Sequence, residues 1–188
     1  MRIELLRKNY EIKVLWTAFP LHPETPLEGL GVEQLFRGRG VDLKEVMARL
    51  KHAAAEAGLP LGERDRTFNS RMAQELGKWA ESQDKGEEFH NAIFRSFFVK
   101  GINIGMISEL LKVAKSIGLP EKEGQRVLEE GIFREAVDRD WSRARALAVV
   151  AVPTFLFNDR TIVGAQPYEA LEKLLVAGGA KKRGLHEL

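Results

Sequence analysis

The sequence predicts an α/β chain in which one strand is followed by a long helical block, a β-hairpin and a closing helix. Three observations carry that prediction. From Glu11 to Phe19, the residues Ile12, Val14, Trp16 and Ala18 alternate with Glu11, Lys13, Leu15, Thr17 and Phe19. That is the period of a strand, and its second face also turns apolar towards the end. From about Val41 to Arg145 the apolar residues recur three and four apart, the spacing of helices with one buried face. Near the C-terminus, Thr154 to Phe157 and Thr161 to Val163 are short apolar runs on either side of Asn158-Asp159-Arg160, a hairpin turn signal. Strands and helices do not alternate, so the order is not that of a doubly wound sheet.

Each element has a local reason. Pro20, Pro23 and Pro26 hold the chain after the first strand in an extended loop that ends near Gly29 and Gly31. Asp42 caps the first helix of the block, with Glu45 three residues on; Leu43, Val46, Met47, Leu50, Ala53, Ala54 and Ala57 form its stripe and Gly58 stops it. Asn69 or Ser70 caps the next, striped by Met72, Ala73, Leu76, Trp79 and Ala80. Phe89, Ile93, Phe94, Phe97 and Phe98 make a third stripe ending at Gly101. Ile104, Ile107, Leu110, Leu111 and Ala114 make a fourth, ending at Gly118-Leu119-Pro120. Two further helices cover Glu121 to Glu130 and Arg134 to Ala146. Phe94, Phe97 and Trp79 are expected to be largely buried. Gly164 closes the hairpin, and Pro167 takes the first position of a last helix with Leu171, Leu174 and Leu175 on its buried face.

Composition narrows the function classes. The chain has 188 residues, 44% hydrophobic and 30% charged, enough for a real core. A net charge of +2 gives no strong field for nucleic acid. The basic cluster Lys181-Lys182-Arg183 sits in a Gly-rich tail and reads as solvated. No window approaches the ~18 apolar residues that span a bilayer, and the charged stretch from Met1 to Lys8 is not a signal-peptide core. The cytoplasm is the default location. With no cysteine there is no disulfide, no thiolate metal site and no cysteine nucleophile.

Among the motifs, Val152-Pro153-Thr154 is the sharpest. A cis bond costs only ~0.5–1 kcal/mol before proline, against ~2.5–4 elsewhere. The alternative is a trans proline beginning an edge strand, and the hairpin, Gly164 and closing helix in order favour cis. His22, fixed between Pro20 and Pro23, has no carboxylate or nucleophile tied to it by sequence. His52, His90 and His186 are scattered without metal-ligand spacing. The Phe89–Phe98 stripe reads as core, and Glu121, Glu123, Glu129 and Glu130 as a solvated face.

Taken together, the stretch Trp16-Thr17-Ala18-Phe19-Pro20-Leu21-His22-Pro23, Asn69-Ser70-Arg71, Trp79-Ala80, Val152-Pro153-Thr154-Phe155 and Gly164-Ala165-Gln166-Pro167-Tyr168 resemble the DsbA-like family of FrnE type. That family includes the relatives of 2-hydroxychromene-2-carboxylate isomerase and kappa-class glutathione transferase. The resemblance covers essentially the whole chain. It implies a thioredoxin-like fold with a large all-helical insertion: residues 1–40 and 147–188 form the thioredoxin-like domain and 41–146 the insertion. Members begin with a strand leading to Cys-Pro-Trp-Cys, serine replacing the first cysteine in the isomerase branch, and then a helix. Met1 to Tyr10 looks like the latter part of that helix. The expectation is therefore a fold lacking its first strand, with the redox motif upstream of Met1 and no catalytic residue in this chain.

The resemblance further implies substrate contacts at Val152, Pro153, Thr154, Phe19, Leu21, His22, Asn69 and Arg71. It implies a disulfide-containing peptide or protein, or a small thiol such as glutathione, as ligand. Metal, nucleic acid and membrane are not expected. Three readings stay open: a disulfide oxidoreductase scaffold, redox-inactive as given; a glutathione-dependent isomerase or transferase; and a non-enzymatic peptide-binding module. Without a central first strand, the strands at Glu11–Phe19 and Thr154–Phe157 would present open edges. Three outcomes would follow: a gap, a rearranged sheet in which they meet, or a partner chain, as in a homodimer.

Overall fold

A computed structural model describes residues 2–38, 40 and 42–184 of this chain. Met1, Val41 (the expected start of the helical block) and His186 lie outside the described residues. The chain falls into two compact units, Met1–Leu21 with Asp140–Leu188, and His22–Arg139. The proline loop after His22 therefore groups with the helices, whereas the division read from the sequence joined it to the hairpin.

In the unit His22–Arg139, β1 (Leu30–Gly31) pairs antiparallel with β2 (Arg66–Thr67), Leu30 opposite Thr67 and Gly31 opposite Arg66. The segment expected to be all-helical thus contains a strand. Two residues are too few to show a period of two, and the pairing is set by distant groups such as the Asp65 carbonyl, which accepts from the Val32 amide at 2.7 Å. Next come α2 (Val32–Phe36) and α3 (Leu43–Glu56). Asp42 Oδ1 caps α3 by accepting from the Lys44 and Glu45 amides at 2.9 and 3.2 Å. Gly58, at φ +64°, ends it in a left-handed turn that a side chain would strain. No residue of α3 is buried, so its apolar stripe is only half covered among the described residues.

The core of this unit lies among α4 (Arg71–Ser82), α5 (Gly86–Phe94), α6 (Ile107–Ser116) and α7 (Glu121–Glu129). Leu76, Trp79, Phe89, Leu110, Ala114 and Val127 interlock there. Asn69, rather than Ser70, supplies the side-chain oxygen at the start of α4. Burial of Phe94 is corrected: it is 44% exposed, while Trp79 is buried and Phe97 half-buried. The reason is phase: Phe89, Ile93 and Ser96, four and three residues apart, share the buried face, and Phe94, one residue past Ile93, lies off it. A π-helical turn, Arg95–Val99, follows α5, with Lys100 N–H donating to Arg95 O.

In the other unit, α9 (Tyr168–Ala177) packs against a hairpin made by β3 (Thr154–Phe157) and β4 (Arg160–Val163), and α1 (Arg2–Asn9) packs against α9. Leu6, Tyr10, Leu171 and Leu175 form its core, with Ile12, Phe155, Phe157 and Ile162 packed against them. The register sets Thr154 opposite Val163 and Phe155 opposite Ile162. β4 starts one residue earlier than expected, leaving Asn158-Asp159 as the turn, with Asn158 at φ +55°. Pro167 caps α9 rather than standing first in it. The helix α8 (Arg134–Ala146) runs across the division between the units.

Glu11 to Phe19 is not a strand. The alternation survives as burial only as far as Leu15, with Ile12 and Val14 half-buried between exposed Glu11, Lys13 and Leu15, while Trp16, expected on the apolar face, is 45% exposed. No ladder partner lies beside it among the described residues. A side-chain pattern fixes which face is apolar; a strand also needs a neighbouring backbone. The chain is held at its ends instead, by the Glu11 amide donating to Lys181 O at 2.9 Å and the Ala18 amide donating to Asp140 Oδ2 at 2.8 Å. β3 likewise pairs on one edge alone among the described residues, so the rearranged sheet in which the two segments meet is not formed.

Candidate functional site

The expected contacts divide between the units: Phe19, Leu21, Val152, Pro153 and Thr154 in one, His22, Asn69 and Arg71 in the other.

In the hairpin unit, the site is the N-terminal end of β3. The Val152–Pro153 peptide bond is cis. The Gly164 amide donates to Pro153 O at 2.8 Å, and Thr154 Oγ1 donates back to Ala151 O at 2.6 Å. These bonds fix the backbone on the β4 side. Val152 is 47% and Val150 85% exposed, and no charged residue occurs from Ala146 to Asn158. The sequence therefore places an uncharged, half-open strand end where one edge has no backbone partner among the described residues. In the same unit, Leu21 is exposed and Phe19 half-buried, and the Leu21 amide donates to Phe19 O across Pro20. Asp140 fixes this stretch through the Ala18 amide. Sequence reasoning missed Asp140 because it reads as one more charge on the polar helix α8, far away in the chain.

In the helical unit, Arg71 is committed to protein partners. Its Nε donates to Glu75 Oε1 and one terminal nitrogen to Asp138 Oδ1, both at 2.7 Å, and the other to Arg134 O at 2.9 Å. Burial works against the Arg71 charge, yet Asp138 and Glu75 outweigh it and hold the guanidinium above its ordinary pKa. Glu75 is buried on α4, a position that a stripe argument assigns to an apolar residue. Asn69 is also fully used. Its Nδ2 donates to Thr25 O at 2.8 Å and Pro23 O at 3.2 Å, and its Oδ1 accepts from the Arg71 amide at 2.9 Å. His22 is half-buried at the head of the turn closed by the Thr25 amide donating to His22 O.

Chemically, neither set contains a sulfur nucleophile, since the sequence has no cysteine. No group of three or more His, Asp or Glu among the described residues is placed to hold a metal ion. No helix among them is long and apolar enough to cross a membrane. What the hairpin unit offers is a strand edge able to hydrogen-bond an extended chain.

Comparison with known proteins bears on the fold. The model of a DSBA-like thioredoxin domain matches residues 1–176. A 115-residue stretch is 32% identical to the uncharacterized protein YwbO of Bacillus subtilis (strain 168), covering 59% of this chain and 56% of that protein. The match thus spans little more than half the length of that relative. Among solved structures, a probable DsbA oxidoreductase from Streptomyces coelicolor superposes with a TM-score of 0.81 at 24% identity, over 95% of this chain and 80% of that one. A 2-hydroxychromene-2-carboxylate isomerase superposes with a TM-score of 0.71 at 20% identity, over 95% and 85%. At these identities the structural likeness establishes the fold.

Proposed function

The chain belongs to the DSBA-like thioredoxin domain family, and from that premise we propose that it is a thiol–disulfide oxidoreductase scaffold of FrnE type. It binds extended, disulfide-containing peptides or proteins and performs no disulfide exchange with the residues present. The observation that carries the binding half is the open edge of β3, with exposed Val152 at its head. An extended peptide laid along that edge gains main-chain hydrogen bonds, and alternate side chains meet the apolar surface. The proposal assigns Val152, Pro153 and Thr154 to the peptide backbone, with Phe19 and Leu21 as apolar contacts; in the helical unit, His22 is proposed as a ligand contact of its own.

The inactivity follows from the chemistry. Exchange requires a thiolate to attack one sulfur of a disulfide, forming a new S–S bond and expelling the other sulfur as a thiolate. Methionine has no proton to lose from sulfur and cannot form that bond. A second reading keeps the surface and changes the ligand: a small thiol such as glutathione in an isomerase or transferase, in keeping with the likeness in fold to the isomerase. A third is a peptide-binding module without chemistry. We place the protein in the cytoplasm, away from membranes and nucleic acids, and a homodimer through the open edge remains part of the proposal. Purified protein tests it. Insulin reduction should stay at background, while a fluorescent extended peptide should bind and Val152→Pro, which removes an amide donor, should weaken it. Activity above background contradicts the first half; a peptide that ignores the Val152 substitution contradicts the second.

A further inference from the structure

Between His22 and Gly29, every second backbone carbonyl is held by a side chain rather than by a strand. Asn69 Nδ2 donates to Pro23 O and Thr25 O, Asn103 Nδ2 donates to Leu27 O at 2.9 Å, and Arg66 donates to Gly29 O at 3.1 Å as well as to Glu28 O. The two asparagines are built alike. Each uses Oδ1 to accept the amide two residues on, Arg71 for Asn69 and Gly105 for Asn103, and each turns Nδ2 outward to the loop. One end of each amide thus shapes the chain entering a helix, α4 or α6, while the other end fixes the loop. Gly105 suits this arrangement: a Cβ there would stand 3.1–3.3 Å from Asn103 Oδ1, Asn69 O and Leu27 O.

From this we infer that Asn69 and Asn103 are positioning residues for the loop that carries His22, holding the His22–Thr25 turn in one conformation for the ligand. The inference rests on the reading of His22 as part of the substrate surface. Its physical content is pre-organisation. Three prolines already restrict the loop, and the side-chain donors remove the remaining freedom of its carbonyls, so a ligand meets an ordered turn and loses less entropy in binding. Buried Thr25 is the point of attachment, since its amide closes the turn and its carbonyl takes the shorter of the two Asn69 bonds.

Asn69→Asp separates the two ends of the amide. The carboxylate still accepts from the Arg71 amide at the head of α4, but it cannot donate to Pro23 O or Thr25 O and repels both. Asn103→Asp does the same for Leu27 O. In the full-length chain, each change should speed amide hydrogen exchange at Thr25 and Gly29 about tenfold or more. Amides of α4 and α6 should remain within twofold. The His22 ring resonances should move towards random-coil values, a signature that a general loss of stability would not produce by itself. Affinity for the fluorescent peptide should fall about tenfold. Unchanged loop exchange and unchanged His22 resonances in both variants overturn the inference. So does an equal acceleration in α4 and α6, which would make the asparagines merely structural. If the wild-type chain fails to bind peptide, the functional reading falls by itself, and the exchange and His22 data still decide whether the asparagines hold the turn.

Discussion

The two units solve the same problem with different success. In His22–Arg139, helices satisfy their own backbones, and thirteen of the described residues form one buried apolar cluster. In the hairpin unit the corresponding cluster has four, and Leu15, Val150, Val152, Leu156 and Val163 are among its exposed residues. The difference is one of secondary structure. A helix needs neighbours for its side chains, whereas a strand also needs them for its backbone. Where strands have one neighbour each, apolar surface and hydrogen-bonding groups stay available. That is poor packing and a good place to bind a chain.

The comparison breaks first at the core. Leu76 is fully buried in α4, so Leu76→Ala should cost about 3–5 kcal/mol in denaturant unfolding, with no change in peptide binding. A loss below about 1 kcal/mol would mean that the helical cluster does not carry the unit. Next is the Arg71–Glu75–Asp138 network. Arg71→Ala strands the buried Glu75 carboxylate and should cost about 2–4 kcal/mol, with Arg71→Lys recovering part because it restores the charge without the fork. Equal losses in the two variants would contradict a role for geometry.

Much of the fold was legible because helices announce themselves locally. Asp42, Gly58 and Gly118 mark ends that their own residue types dictate, and the Leu76–Trp79 stripe faces inward as its spacing requires. Phe94 was misplaced because a stripe that includes the adjacent residues Ile93 and Phe94 is wider than the one face that α5 buries. Glu11–Phe19 failed as a strand because alternation specifies a face and says nothing about a partner. The candidate site was half legible. The order around Val152-Pro153 can be read in the chain, while the roles of Asp140, Asn103 and Glu75 depend on contacts across long sequence separations.

A smaller effect sharpens the hairpin side. Tyr10 is fully buried and donates to Glu172 Oε1 at 2.8 Å, beside the Tyr168 hydroxyl that shares the same oxygen. Burial, with the Glu172 carboxylate, pushes its phenol up to about 12. The folded value lies above the unfolded one, near 10. This contribution to stability is therefore complete below about pH 10 and lost as pH rises through about 12. Ultraviolet titration should show a tyrosine that ionises only towards about pH 12, and Tyr10→Phe should remove that step and flatten the alkaline fall in thermal midpoint; an unchanged titration curve in Tyr10→Phe would contradict it. The smallest effect is expected at the surface. Leu156→Thr and Val163→Thr should change stability by no more than about 0.5 kcal/mol and reduce self-association in light scattering.

Native-state hydrogen exchange across the whole chain tests the contrast between the units most directly. The account expects the amides of α4 to α7 to exchange only through global unfolding, while those from Lys13 to Leu15 and at Val152 exchange many times faster, and the Val152 amide becomes protected when an extended peptide is added. Uniform protection in both units without peptide, or peptide-induced protection confined to the helices, would contradict it.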